Sequence, residues 1–373
     1  MKKKAKKKKK KLIKVAAASK NNVRLIDIAK RVGVSISTVS RILSGSPSSV
    51  KFTGKTKSKI LKVASELGYA SFRVPIKYHR DVRSVMAVSF DRSETFYQKI
   101  ISHIEKTLRT KGYACYFSYT DSDSHQASAI IDAMGKRFTS GCVIFQERKE
   151  FFTTKNKIKL ENLGIPCVLV DHHPNPLPSF VSTIELDNVL AGYDVISHLL
   201  HLGHRHFALF TAPGSSTSPA RRLGIEKRLN KVNLTLDPEY VVEIQYDARF
   251  KLIDNFKKWS SSKKGFPTAI ITAYDLIGYE VLNALESKGI SVPEDVSIAS
   301  FDDRVEMIPW GLDNVRVPLT SVHQPIESIG VIAANELIAR INEPSRKPEH
   351  IRLKGELMIR SSTAKPREKE IKI

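Results

Sequence analysis

Apolar residues recur at helical spacing near the beginning of the chain. Leu25, Ile28, Ala29 and Val32 would share one face of a short helix, which is the pattern of a helix packed against a core. Gly33 follows directly. Because glycine adopts left-handed backbone conformations at little cost, it predicts the end of this helix.

A second helix is predicted immediately after this turn. Ser35 is a suitable N-cap, and Val39, Ile42 and Leu43 then fall at i, i+3 and i+4, on the side that faces the first helix. The side chains left on the outer face are Ile36, Ser37 and Arg41. Two short helices joined at a glycine turn are the layout of a helix-turn-helix, whose second helix is placed to face DNA.

A third helix is predicted after a loop rich in Ser, Gly and Pro at residues 44–54. Thr56 would cap it. The inner face would be formed by Ile60, Val63, Ala64 and Leu67. The outer face would be basic, with Lys55, Lys57, Lys59 and Lys62.

From Ser84 onward, short apolar runs alternate with amphipathic stretches. The strand candidates are 85–90, 114–119, 142–145, 166–170, 207–211, 241–244, 269–272 and 296–301. Helices are predicted between them, for example at 96–111, 191–202 and 276–288. This βαβ alternation predicts an α/β fold of doubly wound parallel sheets, in which ligands bind beyond the carboxyl ends of the strands.

The positive charge is concentrated at one end of the chain. The net charge is +23, of which residues 1–20 contribute +11, with eleven lysines and no acid, and residues 21–83 contribute +10. Residues 84–373 contribute only about +2. A strongly basic small region beside a nearly neutral large one predicts that nucleic acid binds at the N-terminal end.

Length and cysteine content narrow the class further. The 373 residues exceed one typical domain of about 100 to 200 residues, so two or three domains are expected. Cys115, Cys142 and Cys167 lie in predicted strands without paired metal-ligand spacing. They predict buried thiols and no disulfide in a reducing cytoplasm.

The first twenty residues have two interpretations. A secretory signal is not favoured, because Lys14 interrupts the short apolar part. We interpret the stretch as a disordered lysine tail, either with nonspecific attraction for DNA or without function. No other run approaches the roughly 18 apolar residues of a membrane span, so no membrane partner is expected.

The two-helix unit carries a longer motif that resembles a known family. The residues are Leu25-x-Asp27-Ile28-Ala29-x-x-x-Gly33-Val34-Ser35-x-x-Thr38-Val39-Ser40-Arg41-x-Leu43. This run is similar to the DNA-binding signature of the LacI/GalR family of bacterial transcription regulators. The resemblance implies that Ser37 and Arg41 read base edges in the major groove and that Ile36 contacts a thymine methyl group. The DNA-contacting positions so implied are Leu25, Ser35, Ile36, Ser37, Thr38, Ser40, Arg41 and Ser44.

The linker departs from the family pattern. In the family, a short hinge helix with the pattern Pro-Asn-x-x-Ala-x-x-Leu inserts its leucine into the minor groove. Residues 71–78 here are SFRVPIKY, without that asparagine and leucine, and Pro75 disfavours a continuous helix. Ile76 or Tyr78 would have to take the place of the leucine. The expected hinge contacts are Arg73, Ile76 and Tyr78.

The rest of the chain resembles the same family in the two-lobed fold shared with periplasmic sugar-binding proteins. The matching segments, in order, are 164–168, 199–205, 221–224, 273–275, 292–298, 300–303 and 318–322. The implied organisation is a tail at 1–20, a headpiece at 21–70, a linker at 71–83 and a core at 84–373. Lobe 1 is expected at about residues 84–182 and 324–345, and lobe 2 at about 185–320 and 346–373.

The resemblance also places an effector site between the lobes. A cleft for a small polyol needs acceptors for hydroxyl protons, a donor that fixes orientation and an apolar surface. Arg221 can donate two parallel bonds, Asp302 can accept from hydroxyls, and Tyr274 replaces an asparagine common in the family. Each carboxylate has the alternative interpretation of a helix cap or a surface ion pair. The implied contacts are Phe96, Asp171, Leu186, Arg221, Tyr274 and Asp302.

The sequence does not indicate a metal site, a cofactor site or a catalytic site. His198 and His201 lie at i, i+3 without a supporting carboxylate or cysteine, so no metal site is predicted. The chain has no phosphate loop, nucleophile elbow or paired catalytic motif, so neither a cofactor nor enzyme activity is expected.

These features predict a cytoplasmic, nucleoid-associated transcription regulator. We expect a homodimeric repressor of a carbohydrate-utilisation operon, which binds a near-palindromic operator and responds to a sugar-like effector. One alternative is an exported solute-binding protein, which would share the core but lack residues 23–44. A sugar-processing enzyme is a second alternative, and it would show a catalytic cluster in the cleft.

Overall fold

The computed structural model divides the chain into two compact units, Met1–Val82 and Arg83–Ile373. The residues it describes are 24–44, 52–67, 83–90, 95–120, 124–136, 139–145, 151–212, 214–244, 249–304, 317–368 and 371. The lysine-rich residues 1–20 and the predicted hinge contacts Arg73, Ile76 and Tyr78 lie outside these ranges.

The first unit is built from three helices. They are α1 (Leu25–Val32), α2 (Ile36–Ser44) and α3 (Gly54–Glu66). Ile28, Val39 and Ile60, one from each helix, are fully buried together in a single apolar cluster. Gly33 ends α1 in the left-handed conformation, with φ of 80°. The apolar spacing of the sequence therefore becomes the core of a small helical unit, as predicted.

The N-cap of α2 was predicted correctly, and that of α3 was not. The Thr38 N–H donates to Ser35 Oγ at 3.1 Å, so Ser35 caps α2 as expected. The prediction that Thr56 caps α3 is wrong, because α3 begins two residues before it, at Gly54. Thr53 is the cap, and its Oγ1 accepts from the Thr56 N–H at 3.3 Å.

The second unit contains two six-stranded sheets and their helices. Its strands are β1 (Ser84–Ser89), β2 (Ala114–Tyr119), β3 (Gly141–Phe145), β4 (Cys167–Val170), β5 (Val181–Leu186), β6 (Phe207–Thr211), β7 (Val241–Glu243), β8 (Ala269–Thr272), β9 (Ser297–Asp302), β10 (Thr320–His323), β11 (His350–Leu353) and β12 (Glu356–Met358). Its α-helices are α4 (Thr95–Thr110), α5 (Ser124–Lys136), α6 (Thr154–Leu163), α7 (Asn188–Leu202), α8 (Thr217–Asn230), α9 (Arg249–Ser261), α10 (Asp275–Glu286) and α11 (Ile326–Asn342).

Each sheet forms one lobe, and the two lobes share a strand order. The order is β2-β1-β3-β4-β5-β11 in lobe 1 and β7-β6-β8-β9-β10-β12 in lobe 2. All pairings are parallel except that of β12 with β10. Both are doubly wound orders, which bring the carboxyl ends of the central strands to one edge of each sheet.

The central strands of each sheet are covered on both faces. Along β3, Val143 and Phe145 pack into one apolar cluster, whereas Cys142 and Ile144 pack into another on the opposite face. Lobe 2 likewise has two clusters, one of which contains Trp259. Strands buried on both faces are continuously apolar. This burial explains why they were recognisable as short apolar runs.

The C-terminal part of the chain is shared between the lobes. The prediction that residues 346–373 belong to lobe 2 is wrong for β11. This strand pairs with β5 and completes the lobe 1 sheet. The bond from the Thr183 N–H to the Glu349 carbonyl, at 2.9 Å, extends this pairing. Ile351 and Leu353 pack against the lobe 1 core.

The chain crosses between the lobes three times, after β5, after β10 and after β11. The three crossings lie against one another. A Cβ atom on Gly355, in the third crossing, would lie 2.8 Å from Leu186 Cδ1 in the first and 2.8 Å from the His323 carbonyl oxygen in the second. No larger residue fits there without displacing backbone.

The remaining sequence expectations concern cysteines and membranes. All three cysteines are free, and Cys142 and Cys167 are buried at paired positions of β3 and β4. Burial raises the pKa of the Cys115 thiol to about 12. Among the described residues, none of the helices has the length and apolar character to cross a membrane.

Candidate nucleic-acid interface and ligand cleft

The first unit presents α2 at its surface. Ile36 is 46% exposed although it is apolar, and Ser37 and Arg41 are also exposed. Ser35 Oγ lies 2.9 Å from Ser37 Oγ and 2.8 Å from Thr38 Oγ1, so the start of the helix carries a cluster of hydroxyl groups. Hydroxyl, guanidinium and methyl groups are among the groups through which DNA-binding helices can contact base edges.

The other predicted DNA-contacting positions are less exposed. Thr38 and Ser40 are half-buried, and Leu25 packs at the edge of the apolar cluster. Ser44 lies in the last turn of α2, and its side chain is outside the described part of the chain. The outer face of α3 is basic, with exposed Lys57, Lys59 and Lys62. Cations at such positions are suited to phosphate contacts.

In the second unit, Arg221 lies on α8 at the carboxyl ends of the lobe 2 strands. Its side chain is 4% exposed, and each nitrogen donates to a different element of the fold. Nε donates to Asn188 Oδ1 at 2.9 Å, Nη1 to the Ala273 carbonyl, and Nη2 to Asp302 Oδ1 at 2.8 Å. The guanidinium also lies 4.5 Å from the centroid of the Phe301 ring. Arg221 is therefore fixed in one orientation.

Asp302 ends β9 and is held by two donors. Besides Arg221, the Gln324 side chain donates from Nε2 to Asp302 Oδ1 at 2.8 Å. Gln324 directly follows β10 and is fully buried, and its Oε1 has no hydrogen-bond partner among the described residues. An unpaired buried acceptor costs folding free energy, so this oxygen is a candidate ligand contact.

Asp171 follows β4 in lobe 1 and is also buried. Its Oδ2 accepts from the Tyr97 hydroxyl at 2.8 Å and lies 3.3 Å from His172 Nε2. Its Oδ1 is buried and has no hydrogen-bond partner within the described ranges. Each lobe thus supplies one buried oxygen that can accept a further bond.

The two lobes contact each other beside this group. His172 Nδ1 lies 3.2 Å from Ser216 Oγ, and the His173 N–H donates to the same oxygen at 3.3 Å. The histidines are in lobe 1, whereas Ser216 directly precedes α8. The Arg304 guanidinium lies 5.8 Å from the centroid of the Phe96 ring, which is a second contact between lobes.

Asp275 is a buried carboxyl group next to the cleft. It accepts from Ser321 Oγ at 2.7 Å and from the Arg304 N–H at 2.6 Å. Burial raises its pKa to about 7, and the charge of Asp302 acts in the same direction. Ionisation of Asp275 is therefore coupled to the charge distribution around Arg221.

The structure brings together some of the predicted effector contacts and not others. Arg221 and Asp302 are paired directly. Phe96 contributes a buried ring in lobe 1, and Tyr274 is half-buried at the start of α10. The Leu186 side chain, at the end of β5, is 1% exposed and packs in an apolar cluster with residues of lobe 2, and its carbonyl oxygen accepts from Asn188 Nδ2 at 3.1 Å.

Three polar residues of the cleft were not identified from the sequence. Gln324 comes directly after β10 and Asn188 two residues after β5, and these strands are neighbours of β9 and β4. Neither β5 nor β10 was among the predicted strands, so a search for polar residues after the predicted strands would not have found them. Tyr97 has no signal in the sequence either, because it lies within α4 among residues that pack in the lobe 1 core. Among the described residues, no cluster of three or more potential metal ligands is present.

The chain matches two family models. Residues 24–71 match the model described as bacterial regulatory proteins, lacI family, and residues 196–363 match the model described as periplasmic binding protein-like domain. A helix-turn-helix headpiece followed by a two-lobed core of this kind defines a class of DNA-binding transcription regulator. This chain has a DNA-binding domain of the lacI family at residues 24–71 and a periplasmic binding protein-like domain at residues 196–363.

Individual relatives cover nearly the whole chain. The HTH-type transcriptional regulator DegA of Bacillus subtilis (strain 168) is 26% identical over 350 residues, which are 91% of this chain and 98% of that protein. The HTH-type transcriptional repressor PurR of Histophilus somni (strain 129Pt) is 25% identical over 349 residues, which are 90% of this chain and 97% of that protein. These relatives are named as transcription regulators and not as enzymes.

Solved structures share the fold. The transcriptional regulator CelR in complex with cellobiose has a TM-score of 0.65 and 24% identity, covering 91% of this chain and 99% of its own. A LacI family regulator from Enterococcus faecium with bound ribose has a TM-score of 0.61 and 23% identity, covering 76% of this chain and 99% of its own.

Proposed function

We propose that the protein is a cytoplasmic, homodimeric repressor of a carbohydrate-utilisation operon, controlled by a sugar-like effector that binds between the lobes. The observation that carries this proposal is the buried polar group formed by Asp171, Arg221, Asp302 and Gln324, in a chain that also has a LacI-family headpiece. The headpiece weighs against an exported solute-binding protein, which has no use for it.

The chemistry of the cleft favours a ligand with hydroxyl groups. Asp171 Oδ1 and Gln324 Oε1 are acceptors, so a ligand that pairs with them must donate. The Arg221 nitrogens already donate to Asn188, Ala273 and Asp302. A phosphate group would thus meet acceptor oxygens and a guanidinium whose charge is already paired with the Asp302 carboxylate. An unphosphorylated sugar supplies the required donors, and the CelR and Enterococcus faecium neighbours contain cellobiose and ribose.

A thermal-shift screen tests this assignment. Unphosphorylated sugars, including cellobiose and D-ribose, are compared with the corresponding sugar phosphates. We expect a neutral sugar to stabilise the protein and its phosphate to bind more weakly. Asp171→Asn should weaken binding of that sugar roughly tenfold or more, because a charged acceptor is lost from a buried site. Glu286→Gln, on an exposed residue of α10, is the matched control. Tighter binding of the phosphate, or an unchanged affinity in Asp171→Asn, would contradict the assignment.

For DNA, we propose that Ser37 and Arg41 read base edges and that Ile36 contacts a thymine methyl group. Arg41→Ala should cost roughly 1 to 3 kcal/mol on the operator and much less on random DNA, because a base contact is lost. Lys62→Ala, on the basic face of α3, is the control, and its loss should be equal on both DNAs. The measurement is a binding titration on duplexes selected from a random pool. Equal losses for Arg41→Ala would assign it to the phosphate backbone.

The homodimer is supported by an exposed apolar surface on lobe 1. Tyr116 and Phe117, on the edge strand β2, are 52% and 45% exposed. Large exposed side chains on an edge strand mark an interaction surface. We expect a dimer by sedimentation velocity at micromolar concentration, and Tyr116→Asp should shift it towards monomer. A wild-type protein that binds its operator as a monomer would contradict this part of the proposal.

A further inference from the structure

Two glycines on neighbouring helices lie directly behind Arg221. Gly192 is on α7 and Gly224 is on α8. A Cβ atom on Gly192 would lie 2.0 Å from the carbonyl oxygen of Arg221 itself. One on Gly224 would lie 1.9 Å from the Val189 carbonyl oxygen and 2.8 Å from the Tyr193 nitrogen. The contact is reciprocal, since each glycine meets the backbone of the other helix.

This contact lies near the start of α7 and close to the middle of α8, beside the buried polar group. Asn188 is one turn before Gly192 on α7, and Arg221 is one turn before Gly224 on α8. The bond from Arg221 Nε to Asn188 Oδ1, at 2.9 Å, spans the two helices at this point. The distance between the helix backbones therefore sets the position from which the guanidinium extends.

The guanidinium has little freedom to compensate for a displaced backbone. It donates to three elements, at the start of α7, after β8 and at the end of β9, and it lies over the Phe301 ring. Cβ contacts shorter than 3.0 Å essentially never occur, so a methyl group on either glycine would separate the helices by about 1 Å. A shift of that size is enough to break bonds of 2.8 and 2.9 Å.

We infer that Gly192 and Gly224 are positioning residues, whose close backbone contact places the Arg221 guanidinium against Asp302. This inference rests on the proposed role of Arg221 and Asp302 in ligand binding. Elsewhere in the unit, a helical glycine need not do this. Among the described residues, a Cβ on Gly135 of α5 would meet only the end of the Leu163 side chain, at 2.9 Å, which can move aside.

A double-mutant cycle on the full-length protein tests the inference without effector or DNA. Asp302→Asn lowers the urea midpoint of unfolding in the wild type, because the pair with Arg221 is weakened. If the glycines position Arg221, this lowering should be less than half as large in Gly224→Ala or Gly192→Ala, since the pair is already displaced there. In the control Gly135→Ala it should be unchanged. A merely structural role of the glycines predicts equal lowering in all backgrounds, and that result would overturn the inference.

Two further features keep the test decisive. If an alanine variant does not fold in buffer, the cycle is repeated in trimethylamine N-oxide, which favours compact states in general. A variant that remains unfolded there, while Asp302→Asn folds, would show that the glycines hold the lobe together rather than position one side chain. Because no sugar is present, failure of the cycle is distinct from failure of the proposed effector, which only the sugar screen addresses.

Discussion

Asp171 and Asp302 occupy the same position in two lobes of equal strand order. Asp171 directly follows β4, and Asp302 ends β9. Each of these strands is the third from the sheet edge that β11 forms in lobe 1 and β12 forms in lobe 2. Both have left-handed backbone conformations, with φ of 69° and 94°, which aspartate tolerates better than most residues. Their partners differ. Asp302 is bound to a buried guanidinium, whereas Asp171 has a tyrosine hydroxyl and a histidine, and its Oδ1 has no partner in the part of the chain that the structure describes.

The difference shows how one fold position can serve two purposes. In lobe 2, the carboxylate is one half of an ion pair that is complete before any ligand arrives. In lobe 1, Tyr97 and His172 orient the Asp171 carboxylate through Oδ2, and Oδ1 is available to accept a hydrogen bond from a ligand. We therefore expect changes at Asp302 to affect folding first, and changes at Asp171 to affect ligand binding first.

The largest effect is expected from breaking the ion pair. Asp302→Ala should lower the free energy of unfolding by about 3 to 5 kcal/mol, because it leaves the Arg221 guanidinium buried without a carboxylate. Asp171→Ala should cost only about 1 to 2 kcal/mol. Urea unfolding of both variants measures the difference. Equal losses would mean that the two carboxylates are equivalent after all.

A smaller effect is expected in the pH dependence of stability, to which Asp275 of lobe 2 contributes. Burial raises the pKa of Asp275 to about 7, so between its normal pKa of 3.8 and about 7 this group binds a proton in the folded state but not in the unfolded state. Its contribution to stability is thus complete below pH 4 and is lost as the pH rises towards 7. Between pH 5 and pH 7, the wild type should lose about 2 kcal/mol more than Asp275→Asn.

This pH dependence also reports on Asp302. The charge of Asp302 contributes to the raised pKa of Asp275, after burial. In the Asp302→Asn background the loss between pH 5 and pH 7 should therefore become smaller. Chemical unfolding at the two pH values supplies the measurement. An Asp275→Asn variant with the same pH profile as the wild type would show that this carboxyl does not titrate in that range.

The smallest effect is expected in lobe 1. Tyr97→Phe removes the hydroxyl that donates to Asp171 Oδ2 and should cost about 1 kcal/mol. Tyr113→Phe is a matched control, since Tyr113 is equally buried but its hydroxyl reaches Asn342 only at 3.4 Å. We expect a smaller loss for the control in the same unfolding experiment. A loss above about 3 kcal/mol for Tyr97→Phe would place Asp171 in a network as strong as that of Asp302.

The accuracy of prediction from sequence followed the range of the interactions involved. The helices of the headpiece and the strands at 114–119, 207–211 and 269–272 were predictable because spacing and continuous apolar runs are local properties. The position of β11 was not, because this short, half-exposed strand is placed by pairing with β5, more than 160 residues earlier. The cap of α3 was misplaced by three residues, since Thr53 and Thr56 are both suitable N-caps and spacing alone does not choose between them.

The same distinction applies to the cleft. Arg221 and Asp302 were expected there from a family resemblance, but their direct pairing depends on the crossing of α7 and α8 and so required the structure. Gln324 and Asn188 became visible only when the sheet order placed their strands beside β9 and β4. Single side chains that act through long-range geometry are beyond what residue spacing alone specifies.

The three crossings between the lobes have a consequence for how such a gene can be rearranged. Residues 1–82 form a contiguous unit, so one cut in the coding sequence can exchange the DNA-reading part for another. Neither lobe is contiguous, because lobe 1 receives α11 and β11 only after most of lobe 2 has been made. During synthesis on the ribosome, the lobe 1 sheet must wait for residue 353 before its edge strand can pair. Recombination can therefore change the DNA-binding specificity of such a protein in one step, whereas its two lobes have to be inherited together.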